Sequence, residues 1–199
     1  MTSQIPSYII KERTGMTPRQ YQDKRVMKKL GIAEDKYDWL QNHDGVESSF
    51  HGLFLTPMQM AKFGQLYLQG GRASPSDDKR VISQEFIDAS FTRQVTINDN
   101  DPFAAASGLG GTAYGYLWGG RYESPSRPVY CAEGQLGQIV CVDRDLGRVV
   151  VQQRDDGPNG TPPKDWTTVL DFFFENSLSF RTTNGGLSGM SSTVESRAE

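Results

Sequence analysis

An α+β fold, with helices flanking a small antiparallel sheet, is what this 199-residue sequence predicts. Three observations carry that reading. The clearest elements before Tyr114 have helical apolar spacing and are punctuated by Thr-Pro starts and Gly stops. From Tyr114 the period shortens to two. The connectors between the later apolar runs are short, which favours hairpins over parallel crossovers.

The elements follow in order. Ile9, Ile10 and Arg13 precede Thr14-Gly15, where glycine supplies the left-handed residue that ends a helix. A helix entering this close to the first residue without a cap leads to the expectation that the chain begins in mid-structure. Thr17 then caps a second helix with Pro18 at its first position, carrying Tyr21, Val26, Met27 and Leu30 to a stop at Gly31. The strongest helix signal runs from Thr56 to Leu68: a Thr cap, Pro57 at N1, one apolar stripe of Met60, Phe63, Leu66 and Tyr67, and a Gly70-Gly71 stop. Ser83 starts a short capped helix through Phe86 and Ile87. Residues 73–80 and 96–112 are rich in Ser, Asp, Asn, Pro and Gly and read as loops.

Tyr114, Tyr116 and Trp118 alternate with Gly115 and Leu117, which predicts one strand with an aromatic face. Further strands are expected over Pro128–Glu133, Gln138–Val142 and Arg148–Gln153, and a last helix over Asp165–Leu178. The expected organisation is one folded portion over residues 1–180 and a disordered tail over 181–199, which is polar and has no periodic apolar face.

Composition excludes several function classes. The net charge is −3, from 21 basic and 24 acidic residues, which gives no reason to expect binding to nucleic acid or anionic lipid. No apolar run reaches the length of a membrane helix, and the compartment stays open. Cys131 and Cys141 lack zinc-site spacing. A bridge would form if they faced each other on paired strands; two buried free thiols are the preferred expectation.

The residues themselves offer few starting points for chemistry. His43 lies in the polar turn His43-Asp44-Gly45 and reads as a solvated loop residue. His51, between Phe50 and Gly52, is the stronger pocket candidate, although a histidine bonded to backbone fits its position as well. No Gly-x-Ser-x-Gly elbow is present. The segments 108–111 and 134–137 are Gly-rich but lack the Lys-Ser/Thr of a phosphate loop, so turns are expected there. In a Ser-x-x-Lys pair one helical turn sets an amine beside a hydroxyl, where it takes the proton; the expectation is that this chain holds none.

Five segments, in order, resemble the C-terminal half of the serine β-lactamase and penicillin-binding-protein superfamily. They are Ile9–Met16, Leu30-Gly31-Ile32, Gly52–Gly71, Tyr114–Trp118 and Gly134–Gln138. The likeness is greatest to the class C-like esterases and amidases, including the 6-aminohexanoate-dimer hydrolases, and spans residues 5–178. The resemblance implies a partial β-lactamase/transpeptidase-like fold with its N-terminal part missing.

In that family the Lys of Ser-x-x-Lys activates the nucleophilic serine, a Tyr-x-Asn/Ser motif shares the proton work, and a Lys-Thr-Gly motif on an edge strand faces the serine. The resemblance places the first two motifs upstream of Met1, so no catalytic residue is expected in the chain itself. The third falls within Tyr130–Gly137, where no Lys-Thr-Gly occurs. Without that cation a substrate carboxylate has no partner, which favours an ester or amide over a β-lactam. The implied substrate-binding residues are His51, Trp118, Glu133, Gly134 and Gln135, with no metal and no cofactor. As packing or turn residues, His51, Trp118 and Gly134 are explained nearly as well.

Two functions follow as expectations. The chain is a fragment of a serine hydrolase acting through an acyl-enzyme on a small ester or amide, inactive alone. Alternatively it is a non-catalytic remnant that binds a ligand or partner. In either case an exposed sheet edge is expected to favour self-association.

Overall fold

The computed structural model describes residues 4–96, 113–120, 129–134 and 138–153. The chain divides into a unit of residues 1–155 and a second of 156–199. The expected helix at Asp165–Leu178 and the tail at 181–199 lie outside the described residues, as does Gln135.

Local signals place most helices. Helix α1 spans Ile5–Thr14 and ends at Gly15, with φ 68°. Helix α2 spans Pro18–Arg25 and is shorter than expected. Val26 leaves helical geometry at φ −126°, ψ −63°, and Met27–Leu30 tighten into a 3-10 helix closed by Gly31. Both α2 and helix α3 (Pro57–Leu68) begin with reciprocal capping boxes, Thr17 with Gln20 and Thr56 with Gln59. Each box satisfies two backbone donors that the first turn leaves unpaired. Helix α4 spans Gln84–Ser90 behind the Ser83 cap.

Strands β1 (Asp38–Trp39) and β2 (Leu53–Phe54) pair in a two-stranded antiparallel sheet, which the sequence had not suggested. The other six strands form an antiparallel meander in chain order: β3 (Val95–Thr96), β4 (Ala113–Gly115), β5 (Trp118–Gly120), β6 (Tyr130–Gly134), β7 (Gln138–Asp143) and β8 (Arg148–Gln152). The expected single strand from Tyr114 to Trp118 is instead a hairpin. The chain reverses at Tyr116-Leu117, and Gly115 pairs with Trp118. The alternation misled because neither turn residue is the Gly or Asn that usually marks such a reversal.

Helix α3 packs on two sides, where the sequence suggested one stripe. Phe63, Gly64 and Tyr67 face the sheet, and Tyr67 joins Ile87, Phe91, Trp118, Tyr130, Val140 and Val142 in one buried cluster. Leu66 joins a second cluster with Met27, Leu30, Ile32 and Tyr37.

Register also settles the cysteines. Cys131 and Cys141 sit directly opposite on β6 and β7, fully buried, and form a disulfide. The expectation of two free thiols is corrected. Their ten-residue separation lets a short connection bring the two strands into that pairing.

Glu47 is a buried polar hub, only 1% exposed. Its carboxylate accepts from the Gln41 side chain at 2.8 Å and from the Arg19 backbone N–H, in the first turn of α2, at 3.3 Å. Its carbonyl accepts from the Ser7 hydroxyl at 2.7 Å, tying in α1. Burial opposes ionisation, but hydrogen bonds from Gln41, the backbone and Thr17 outweigh it and hold the carboxyl below its ordinary range. A lowered folded-state value stabilises the protein above the unfolded value, about 4.3, and that contribution is lost as pH falls through the folded value. Wild type is therefore expected to exceed Glu47→Gln in thermal midpoint at neutral pH, with the gap closing in acid. A gap constant from pH 7 to pH 3 would contradict the role.

Candidate active site

Glu133 and Gly134, two of the residues that the resemblance implied, end strand β6. The β5 ladder along β6 runs over Gly120↔Tyr130 and Gly119↔Cys131, so Glu133 and Gly134 extend beyond it. On the other side β7 continues alongside, pairing Glu133 with Ile139 and Gly134 with Gln138. Strand β6 thus has neighbours on both flanks, and the expected edge position is corrected. Gly134 is exposed and Glu133 half-buried. A Cβ on Gly134 would lie 3.2 Å from the Gln138 Cβ, so any side chain there crowds the neighbouring strand.

Tyr114 on β4 reaches the same region. Burial, and then the negative charge of Glu133, raise its phenol above the ordinary range. The β5–β6 ladder stops at Gly119↔Cys131, and Trp118 and Ala132 belong to the same apolar cluster beyond it. The Tyr116-Leu117 hairpin tip lies against α4, with the Tyr116 ring 5.3 Å from that of Phe86.

That tip has an unusual backbone. Tyr116 and Leu117 both have positive φ, 46° and 73°. A two-residue type I′ reversal requires this twice over, at a cost that glycine avoids. Leu117→Gly is accordingly expected to stabilise the chain by about 0.5–1 kcal/mol in urea unfolding, the relieved strain exceeding the extra entropy of an unfolded glycine. A loss of stability would mean that the leucine side chain holds the turn.

The five implied binding residues are not gathered in one place. Glu133 and Gly134 are consecutive on β6. Trp118 is on the adjacent strand, but its ring is 2% exposed, with centroids 4.6 Å from Tyr67 and 5.1 Å from Phe91. It is part of the core that backs the sheet. His51 is exposed on the loop before β2, in the other sheet, with its ring against Phe50 at 4.3 Å. His43 faces solvent with Nδ1 2.6 Å from Asp44. Tyr114 was not singled out from the sequence as a neighbour of Glu133, because only strand pairing brings β4 close to β6.

Ser76 precedes Lys79 at Ser-x-x-Lys spacing, so the expected absence of such a pair does not hold for the sequence. The physical point of the motif is nonetheless unmet. Residues 72–80 form bends and turns, both side chains are exposed, and the Ser76 hydroxyl hydrogen-bonds Ser74 at 2.9 Å. Tyr122 and Ser124 have Tyr-x-Ser spacing and lie outside the described residues.

A concavity of ≈ 580 Å³ opens away from β6, where Asp35–Asp38, Phe54–Pro57 and Gln153 meet. Gln153 donates to the Leu55 carbonyl across it at 2.9 Å. Among the described residues no helix is long and apolar enough to cross a membrane, and no cluster of three or more His, Cys, Asp or Glu could hold a metal.

A Bacillus anthracis protein provisionally named a 6-aminohexanoate-dimer hydrolase has a similar structure, with a TM-score of 0.68 and 19% sequence identity. The fold is part of a β-lactamase-like one. The match takes in 90% of this chain and 42% of the other, so this chain spans less than half of that protein's length. No protein-family model and no curated protein matches the sequence.

Proposed function

We propose that this chain forms the C-terminal part of a serine hydrolase that cleaves ester or amide bonds through an acyl-enzyme, and that another polypeptide segment supplies the nucleophile. The observation that carries the reading is the meander and capped α3 of a β-lactamase-like fold, matching 42% of a neighbour named as a hydrolase. The exposed helix-less setting of Ser76 and Lys79 supports the second half of the proposal.

In this chemistry a serine hydroxyl attacks the substrate carbonyl while a lysine amine takes its proton. The carbonyl oxygen becomes anionic, and a backbone N–H on a rigid strand stabilises it by a few kcal/mol at the barrier. The proton then passes to the leaving alcohol or amine, and water repeats the attack on the acyl-enzyme. The end of β6 at Gly134 is the proposed donor, because exposed glycine lets a substrate approach the backbone. Trp118 acts behind it by holding β5 against the core. His51 and Gln135 remain proposed substrate contacts.

The purified chain is expected to give no turnover of p-nitrophenyl butyrate above buffer. Mixing with an N-terminal segment of this fold carrying Ser-x-x-Lys is expected to restore it. Turnover by the chain alone that a serine-directed phosphonate abolishes would overturn the division of labour. The alternative, a binding remnant without catalysis, draws on the exposed apolar residues Ile5, Ile9 and Phe50; it predicts that complementation fails.

A further inference from the structure

We propose that the Cys131–Cys141 disulfide is a redox-sensitive latch that positions the end of β6, and with it the backbone at Gly134. The consequence for catalysis rests on the hydrolase reading; the latch itself does not.

The sequence holds two cysteines, and this one crosslink uses both. Its place in the sheet gives it a role. The β6–β7 ladder runs from Tyr130↔Val142 to Gly134↔Gln138, and the bridge joins its second rung, Cys131↔Cys141. The β5–β6 ladder stops at that same residue, at Gly119↔Cys131. Beyond it, β7 is the one described strand that pairs with Ala132, Glu133 and Gly134. The crosslink therefore stands where β6 passes from two paired neighbours to one, and it fixes the register of the rungs that follow. A slip of one residue there would turn each side chain to the other face. A strand end paired on one side also opens locally more readily than one paired on both.

Both cysteines are 0% exposed. A dithiol reaches the sulfurs only when the strands part, so the latch is set as the chain folds and is released slowly afterwards. Release is a thiol–disulfide exchange. One thiolate of the dithiol attacks a bridge sulfur, giving a mixed disulfide and one free cysteine. The second thiol then attacks the mixed disulfide and releases the other cysteine. Two electrons and two protons pass to the protein, and the dithiol closes to its own disulfide. Every heavy atom of the two side chains remains, so no cavity opens and what is lost is the covalent restraint.

The test uses the full chain labelled with nitrogen-15, either purified without reductant or unfolded and refolded with dithiothreitol. NMR order parameters of the backbone amides at residues 132–134 and 138–140 are expected at about 0.85 in the oxidised form and below about 0.6 in the reduced form, with α3 rigid in both. Cys131→Ala/Cys141→Ala is expected to follow the reduced form, and gives the same reading where the reduced chain does not refold. Equal order at the end of β6 in both forms would overturn the latch. So would an equal loss of order in α3, or two reactive thiols in the chain purified without reductant. Turnover is a separate arm. Mixed with an N-terminal segment of the fold carrying Ser-x-x-Lys, the oxidised chain is expected to exceed the reduced one about tenfold in kcat with KM level, as for a displaced catalytic group. Equal turnover in the two forms would overturn the control of Gly134. No turnover from either, with the order parameters as expected, would overturn the hydrolase reading and leave the latch standing.

Discussion

Trp118→Ala is expected to destabilise the protein by about 4 kcal/mol in urea unfolding, the usual cost of emptying a large aromatic site. The indole is packed on three sides, against Tyr67, Phe91 in edge-on contact and Phe63 stacked at 6.3 Å. It also begins β5, the strand that flanks β6. Removing it leaves a void next to Tyr67 and loosens the partner of Cys131. Trp118→Phe, which keeps part of that volume, is expected to lose less than half as much. A side chain lining an open cleft would behave otherwise: its truncation would change ligand binding and cost under about 1 kcal/mol. Paired unfolding and binding measurements on the alanine variant therefore separate the two roles.

Gly64→Leu is the second large effect expected, a loss of about 3 kcal/mol, at the upper end of ordinary overpacking. Glycine in the middle of a helix is normally a weakness, by about 1 kcal/mol relative to alanine. Here the missing side chain is what allows contact. A Cβ on Gly64 would meet Val149 Cγ1 at 2.5 Å and Val140 Cγ1 at 2.9 Å. Helix α3 would have to lift from β7 and β8 to admit even one carbon, and four carbons would part it from the sheet. Gly64→Ala is expected to fall between, because the propensity gain offsets part of the clash. A neutral leucine variant would show that the helix shifts without resistance and that the close approach is not required.

The helix starts were legible because their causes are local. Thr17 with Gln20 and Thr56 with Gln59 exchange hydrogen bonds within one turn, so three residues of sequence contain the whole interaction. The stops at Gly15 and Gly31 are equally local, since each needs only a residue tolerant of positive φ. The strands β7 and β8 were found close to their bounds for the same kind of reason, an apolar run between two turn signals. The Tyr116-Leu117 reversal was not found, because its residues carry no turn signature and the strain is sustained by pairing on either side.

The candidate site was legible only in outline. Glu133 and Gly134 could be singled out by resemblance, but Trp118 could be a core or a cleft residue on the same evidence of type and spacing. Its 2% exposure follows from Tyr67 and Phe91, which lie 51 and 27 positions away in the chain. The Ser76–Lys79 pair shows the converse: the spacing is right, and the absence of a helix beneath it removes its meaning.

What the sequence determined by itself, then, was the class of fold, the helix caps and the apolar runs between turn signals that commit β6 to β8 to a sheet. Each depends on hydrogen bonds or side-chain direction within a few residues. What tertiary structure decided was which residues meet: Cys131 with Cys141, Gly64 with Val149, Trp118 with Tyr67 and Phe91. Those meetings are set by strand register, and a slip of one residue would turn every side chain to the other face. Register is chosen by the packing of the whole core, so no short stretch of the chain contains it.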